Sequence, residues 1–203
     1  MLIVIGIIAI VAAFVVPALG PASGRNLDGA TRQFMADLDN ARLIAIAERT
    51  RTRILLPKSI SDFSGAASSP APWPADIALR GYLITSSKRT DTVWKQRGKW
   101  NVLPQGIALD PAVGLFVQPA PSPVPTPIGV NVGGSGVATF EFNGPYIEFL
   151  PNGSSSLDPS ASPAPAATLA DAYVDSTGIF VRKNKNLKST VTVDPLSGSV
   201  SMK

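Results

Sequence analysis

The side chains best suited to chemistry lie close together in the last third of the chain, where carboxylates alternate with hydroxyls. They are Asp158, Ser160, Asp171, Asp175 and Ser176. A serine nucleophile needs a base, and histidine, the usual base, does not occur in this sequence. A Ser-His-Asp triad is therefore impossible, and although a Ser–Lys pair could replace it in principle, the sequence places no lysine for that role. We predict no catalytic residues and hence no enzyme.

The sequence likewise gives little evidence of a metal site or a phosphate-binding loop. The absence of cysteine and histidine removes thiolate and imidazole ligands. Residues 175–178 form an oxygen-rich turn that lacks the carboxylate density of a calcium site, which leaves bound calcium only as an alternative. The glycine cluster at residues 133–136 is followed neither by Lys-Ser/Thr nor by a helix, so it reads as a loop and not as a phosphate cradle. We predict no metal and no cofactor.

Basic residues form two groups, the first of which interleaves with Trp94 and Trp100. The two groups consist of Lys88, Arg89, Lys95, Arg97, Lys99, Arg182, Lys183, Lys185 and Lys188. We interpret them as solvated strand faces and hairpin tips. The alternative is a DNA-contacting patch, because basic side chains beside aromatic rings suit phosphates and bases. A net charge of +4 is only a weak indication of nucleic-acid binding.

These groups must be positioned by one helix and a series of strands. A break at residues 21–24 is followed by Asn26 or Asp28 as a helix cap. The break and an amphipathic helix together occupy residues 21–53. The apolar stripe in steps of three and four consists of Leu27, Ala30, Phe34, Leu38, Ala41 and Ala45. The stripe widens at Leu43, Ile44 and Ile46, which predicts that the helix enters a core there.

Residues 54–203 are predicted to form one β-rich domain. An alternating Arg/Thr run at residues 49–53 opens the first strand, and Pro57 stops it. Further strands are predicted at residues 77–86, 91–94, 137–142, 146–150, 178–183, 189–193 and 199–203. Proline-rich loops at residues 70–74, 119–127 and 159–165 act as spacers between strands or, alternatively, as a recognition loop. The middle one has little capacity to join a central strand.

The first twenty residues carry no charge and, as a helix, would span about 30 Å, the thickness of a bilayer's hydrocarbon core. They allow three interpretations: a cleaved secretory signal, a plain membrane anchor, or a helix that packs against other helices. The third is favoured because Gly6, Ala9 and Ala13 share one helix face and permit close approach. Pro17 interrupts the run near its end.

Residues 1–19, ending in Pro17-Ala18-Leu19, resemble the N-terminal segment of type IV pilins and type II secretion pseudopilins. The cleavage glycine, phenylalanine and glutamate of that family are absent, and the glutamate would fall just before Met1. We therefore expect that the chain starts at an internal methionine or is truncated. Residues 40–47, with Ala41-Arg42 and Ala45-Ile46, are similar to the helix of the GspH/FimT-type minor pseudopilins.

Three later elements support the same resemblance. They are Trp100 with Leu103-Pro104-Gln105-Gly106, the strand–Pro–x–Gly step at residues 147–153, and a closing hairpin whose connection is residues 194–198. The resemblance implies an α+β, pilin-like fold. Its long N-terminal helix, with a membrane half and an amphipathic half, would pack on an antiparallel β-rich domain.

The implied function is that of a structural subunit of a type II secretion pseudopilus or type IV pilus-like filament. Before assembly the chain would be anchored in the bacterial inner membrane by a single membrane-spanning segment, with its domain in the periplasm. The implied partners are other pilin-like subunits, the membrane, an assembly platform and a prepilin peptidase. Two alternatives stay open: a DNA-binding minor pilin and, from another class, a membrane-anchored enzyme. The final residues, 198–203, lack the arginines that such DNA binders carry after the closing glycine.

Overall fold

A computed structural model describes residues 23–64, 77–88, 90–91, 93–113, 126–131, 137–155, 166–174, 180–184 and 186–202. Within these ranges one α-helix, α1 (Ser23–Glu48), precedes a series of strands. The strands are β1 (Arg51–Leu55), β2 (Phe63–Ser64), β3 (Gly81–Ser87), β4 (Trp94–Gln96), β5 (Asn101–Val102), β6 (Ile107–Leu109), β7 (Thr126–Asn131), β8 (Val137–Phe142), β9 (Tyr146–Phe149), β10 (Ala166–Val174), β11 (Phe180–Arg182), β12 (Lys188–Val193) and β13 (Val200–Met202). A short 3-10 turn, Ile60–Asp62, precedes β2.

The buried side of α1 confirms the apolar stripe. Every predicted stripe residue, from Leu27 to Ala45, is buried, and none is more than 6% exposed. The prediction that the stripe widens was wrong for two of its three residues, because Leu43 and Ile46 are exposed while Ile44 is partly buried against the core. The helix ends where Arg49 adopts a left-handed φ of 53° and the amide of Thr50 donates to the oxygen of Ala45.

The predicted fold, with a long N-terminal helix, is wrong. The described part of the chain contains a single helix of 26 residues, and the other elements form mostly antiparallel sheet. Charged residues such as Asp28, Arg32 and Asp39 occupy the exposed side of α1, because a helix that covers a sheet needs only one apolar stripe. Among the residues that the structure describes, no helix combines the length and the apolar character needed to cross a membrane.

The apolar segment itself, residues 1–20, lies outside the described residues. The positions assigned to helix packing fall there too. They are Gly6, Ala9, Ala13 and Pro17.

The strands form two sheets. The first has the order β2-β8-β7-β4-β3-β1-β9, with β5 paired to β3, and its pairs are antiparallel except for the parallel pair β4–β7. Next to the edge strand β9, Ile54 on β1 lies between Ile84 on β3 and Ile147 on β9. The second sheet has the order β11-β10-β12-β13, and β6 pairs with β10. The closing hairpin β12–β13 confirms the prediction for the end of the chain.

Both faces of the first sheet are buried, which divides the interior into two main cores. Alternation along β1 places Ile54 in the core beneath α1 and Leu55 in the core on the opposite face. Every residue of β3 is buried, as expected of a strand that is covered on both sides. In the core beneath α1, Phe34 contacts Tyr82 edge-to-face at 5.1 Å between ring centroids.

The middle proline-rich loop, predicted at residues 119–127, ends earlier than predicted, because β7 begins at Thr126. Pro127, at the end of the predicted loop 119–127, belongs to β7, which lies between β8 and β4. The strand tolerates proline because β4 pairs only with Ile128 and Gly129, so no described strand pairs with Pro127 on that side. Residues 119–125 and the predicted loops at residues 70–74 and 159–165 lie outside the described residues.

Candidate functional site

Three segments that the sequence analysis singled out separately meet at Arg42. The Arg42 Nε of α1 donates to the backbone oxygen of Gly153, 3.1 Å away, in the turn after β9. The turn between β12 and β13 packs on the same spot, since a Cβ added at Gly198 would lie 3.2 Å from Arg42 Nε and 2.0 Å from the Gly153 oxygen. We call Arg42, Gly153 and Gly198 the Arg42 junction.

The junction depends on glycine at both turns. Gly153 and Gly198 have φ angles of +84° and +65°, in the left-handed region that side chains with a Cβ rarely adopt. The Gly198 amide donates to the backbone oxygen of Asp194 at 2.7 Å. The Asp194 carboxylate accepts from the backbone amide and hydroxyl of Ser197 and from the Leu196 amide, and these donors lower the pKa of Asp194. In the other turn, the Gly153 amide donates to the Leu150 oxygen at 2.8 Å. Both turns are therefore fixed by local bonds, and Arg42 joins α1 to the Gly153 turn.

Three exposed aliphatic side chains belong to the segments that form the junction. Leu43 is 62% exposed, Ile46 is 40% exposed, and Leu196, two residues before Gly198, is 77% exposed. Ile46 contacts the turn directly, because its Cδ1 lies 2.8 Å from the position that a Cβ at Gly153 would take. We call Leu43, Ile46 and Leu196 the junction surface. Aliphatic side chains around an arginine are typical of protein–protein contact sites.

A second constellation lies on the other face of the first sheet. The Arg53 guanidinium is held between two rings, 4.1 Å from the Trp94 centroid and 4.2 Å from that of Tyr146. Arg53 Nε also donates to Glu148 at 2.7 Å, and these two side chains are only 8% and 6% exposed. Arg51, two residues earlier on the same face, lies 5.3 Å from the Trp94 centroid. We call these five residues the arginine–tryptophan stack.

Sequence reasoning identified the Arg/Thr run but missed the stack. Arg53 and Glu148 are 95 residues apart, so no local spacing could pair them. The available signal was the alternation of Arg51 and Arg53 with threonines in a strand that is otherwise apolar. Buried arginine side chains need charged or hydrogen-bonding partners, so arginines on a buried strand predict a buried carboxylate on a neighbouring strand.

Two residues of the predicted basic groups have partners within the domain. Arg97 pairs with Glu48 at the end of α1 and donates to the Ser86 hydroxyl. Arg182 pairs with Asp110, whose side chain is 1% exposed. Both arginines are therefore already engaged in ion pairs within the domain.

The aromatic residues of the first basic group also face inward. Trp94 is 4% exposed beneath the two arginines, and Trp100 contacts Phe63 edge-to-face at 5.7 Å between ring centroids. Neither ring is presented for stacking on bases. The exposed basic residues are distributed over elements of both sheets: Lys88, Lys95, Lys99, Lys183 and Lys188. Arg89 and Lys185 lie outside the described residues, and nucleic-acid contact stays a prediction.

Little of the acidic and hydroxyl group considered first can be placed. Asp171 lies on β10 and is 6% exposed. The other four members and the glycine cluster at residues 133–136 lie outside the described residues. In the described part of the chain, no group of three or more acidic, histidine or cysteine residues is arranged to hold a metal ion.

Comparisons with protein-family models, with curated proteins and with solved structures found no match to this chain. The resemblance to pseudopilins therefore rests on the sequence motifs alone.

Proposed function

We propose that this chain is a structural subunit of a type II secretion pseudopilus or a type IV pilus-like filament. Before assembly, residues 1–19 hold it in a membrane. The observation that supports this proposal is the Arg42 junction. Arg42 and Gly153 are separated by 111 residues and belong to two different motifs of the resemblance, while Gly198 belongs to a third. If the three similarities were accidental, we would not expect the three segments to contact one another in the fold.

The role of α1 in such a subunit follows from its two faces. One face is buried in the domain, and the other exposes Leu43 and Ile46 beside the junction. Full burial of a leucine side chain contributes roughly 1.5–3 kcal/mol, so a neighbour that covered Leu43 would gain about 1–2 kcal/mol from that residue.

Site-specific photo-crosslinking of the full chain tests the proposal in cells that assemble it. A photoreactive amino acid replaces Leu43 in one variant and Ile60 in a matched control, because Ile60 is 53% exposed but lies beside β2, at an edge of the first sheet. We expect Leu43, and not Ile60, to give adducts with another copy or with a second membrane-anchored subunit, identified by mass spectrometry. Adding Ile8→Lys should abolish these adducts, since a lysine in the apolar segment opposes membrane insertion.

Equal adducts at the two positions would contradict a specific contact at the junction surface. Adducts that persist with Ile8→Lys would contradict assembly from the membrane. An adduct only with a soluble protein that is not part of a filament would contradict the structural role itself.

A further inference from the structure

We propose that Arg51 is the centre of a binding site for a small oxyanion, that is, a phosphate or carboxylate group, on the face of the first sheet opposite α1. This site is independent of the proposed filament role. It would explain the Arg/Thr run that begins β1, which no other feature of the fold accounts for fully.

Two neighbouring arginines on β1 differ in whether a carboxylate compensates their charge. Arg51 and Arg53 project from the same face of β1 and share the Trp94 ring. Glu148 compensates the charge of Arg53. Arg51, by contrast, has neither a carboxylate nor a hydrogen-bond acceptor among the described residues, and its Nε is buried without a partner.

An unpaired buried donor on a cation is unfavourable. Leaving a buried N–H without an acceptor destabilises a protein by an amount comparable to a hydrogen bond, and more when the group is charged. A water molecule could accept from Nε but would not compensate the charge. An oxyanion on the terminal nitrogens compensates the charge, since two of its oxygens match the planar fork of a guanidinium.

The surroundings of Arg51 favour a single small anion. The Trp94 ring holds the guanidinium, so little side-chain freedom is lost when a ligand binds. Arg51 is only partly buried, so part of the residue stays accessible to solvent. Its register partner on β3 is Ser87, which is followed by the exposed Lys88.

Acidic groups near this face reduce the positive charge without removing it. Glu148 is bound to Arg53, and Asp91 closes the turn after β3, where its backbone oxygen accepts from the Ser87 hydroxyl. Among the described residues, the cations here are Arg51, Arg53 and Lys88, and the carboxylates are those of Glu148 and Asp91. Positive charge is therefore in excess at this site, which favours an anion.

Nuclear magnetic resonance of the ¹⁵N-labelled full chain in detergent micelles tests the site. Sodium phosphate is titrated against sodium chloride at constant ionic strength, and the Arg51 Nε–H and Trp94 indole N–H signals are followed. We expect both signals to shift with saturation. A parallel titration with sodium acetate shows whether a carboxylate binds as well as phosphate, and saturation by either anion supports the proposal.

Arg51→Gln should weaken the saturating response of the Trp94 signal by at least about tenfold, because a hydrogen bond to a charged group contributes at least that factor. Arg32→Gln is the matched control: Arg32 is an exposed arginine on α1, and its loss should leave the response unchanged. Linear, non-saturating shifts with both anions in the wild-type chain would overturn the proposal, whether or not the variant folds. A saturating shift that persists in Arg51→Gln would also overturn it.

Discussion

The buried pair Arg53–Glu148 offers the sharpest test of how this fold is held together. Arg53 Nε and Glu148 Oε2 are 2.7 Å apart, and more than nine-tenths of each side chain is buried. Replacing Glu148 with alanine leaves the guanidinium buried without its carboxylate. Because an arginine keeps its charge when buried and loses the Glu148 carboxylate, we expect the free energy of unfolding to fall.

The size of the loss follows from this burial. Removing one partner of a buried ion pair destabilises proteins by about 3–5 kcal/mol. Arg53 keeps its contacts with Trp94 and Tyr146, so we expect the lower end, about 3 kcal/mol, for Glu148→Ala. Glu148→Gln keeps an acceptor and should lose about 2 kcal/mol. For a chain of this length, 3 kcal/mol corresponds to a decrease in Tm of roughly 6–12 °C.

Thermal unfolding of the full chain in mild detergent, followed by near-ultraviolet circular dichroism, measures these losses. The double variant Arg53→Met/Glu148→Leu, measured together with its single changes Arg53→Met and Glu148→Leu, forms a double-mutant cycle. It removes both charges and fills the space with apolar atoms. Replacing a whole buried pair in this way is often neutral or stabilising, so we expect the double variant to be within about 2 kcal/mol of the wild type.

An exposed ion pair on α1 serves as the matched control. Arg32 and Asp28 are 74% and 52% exposed, and an exposed pair four residues apart contributes about 0.3–0.5 kcal/mol. Asp28→Asn should therefore lower Tm by less than about 2 °C. The reasoning would be refuted if Glu148→Ala behaved like Asp28→Asn, or if the double variant lost as much stability as the sum of its single changes.

Two further predictions concern the Arg42 junction and the core beneath α1. Gly198→Ala places a methyl group 2.0 Å from the Gly153 oxygen at a φ of +65°, so we expect a loss of roughly 3 kcal/mol by thermal unfolding. Gly29→Ala, on open helix surface, should instead stabilise by about 0.5–1 kcal/mol, and similar losses at both glycines would contradict the close packing. Burial and the 2.5 Å hydrogen bond to Asp37 raise the pKa of Tyr82 above its usual value near 10. Because the pKa of Tyr82 is higher in the folded than in the unfolded state, the protonated hydroxyl contributes to stability. This stability contribution is complete below pH 10, and above pH 10 the free energy of unfolding falls by about 1.4 kcal/mol per pH unit. Tyr82→Phe should not show this loss, and parallel stability–pH curves for variant and wild type above pH 10 would exclude the mechanism.

Local periodicity was enough to predict the buried side of α1. Spacings of three and four determine which residues of a helix share a face, so the stripe from Leu27 to Ala45 could be read without knowing its partner. The prediction that the stripe widens at Leu43 and Ile46 followed apolar type and not this spacing. At 3.6 residues per turn, Leu43 lies about half a turn and Ile46 about a third of a turn away from the stripe, which accounts for their exposure.

The stack and the junction could not be predicted because their members are joined by tertiary contacts alone. Glu148 reaches Arg53 only because β9 pairs with β1, with Arg53 opposite Glu148 in the register. Likewise, Gly153 and Gly198 read as ordinary turn glycines until the structure brings both beside Arg42. The sequence motifs indicated where turns occur but not which turns touch.

The contacts of α1 limit how a partner can act on this domain. Asp37 binds Tyr82 of β3, Arg42 binds the turn after β9, and Glu48 pairs with Arg97 just after β4. The helix is thus tied to the first sheet at three points along its second half. Because the Gly198 turn packs on the same arginine, the second sheet is attached there as well. A partner bound at Leu43 would therefore act on both sheets together, as the proposed filament role requires.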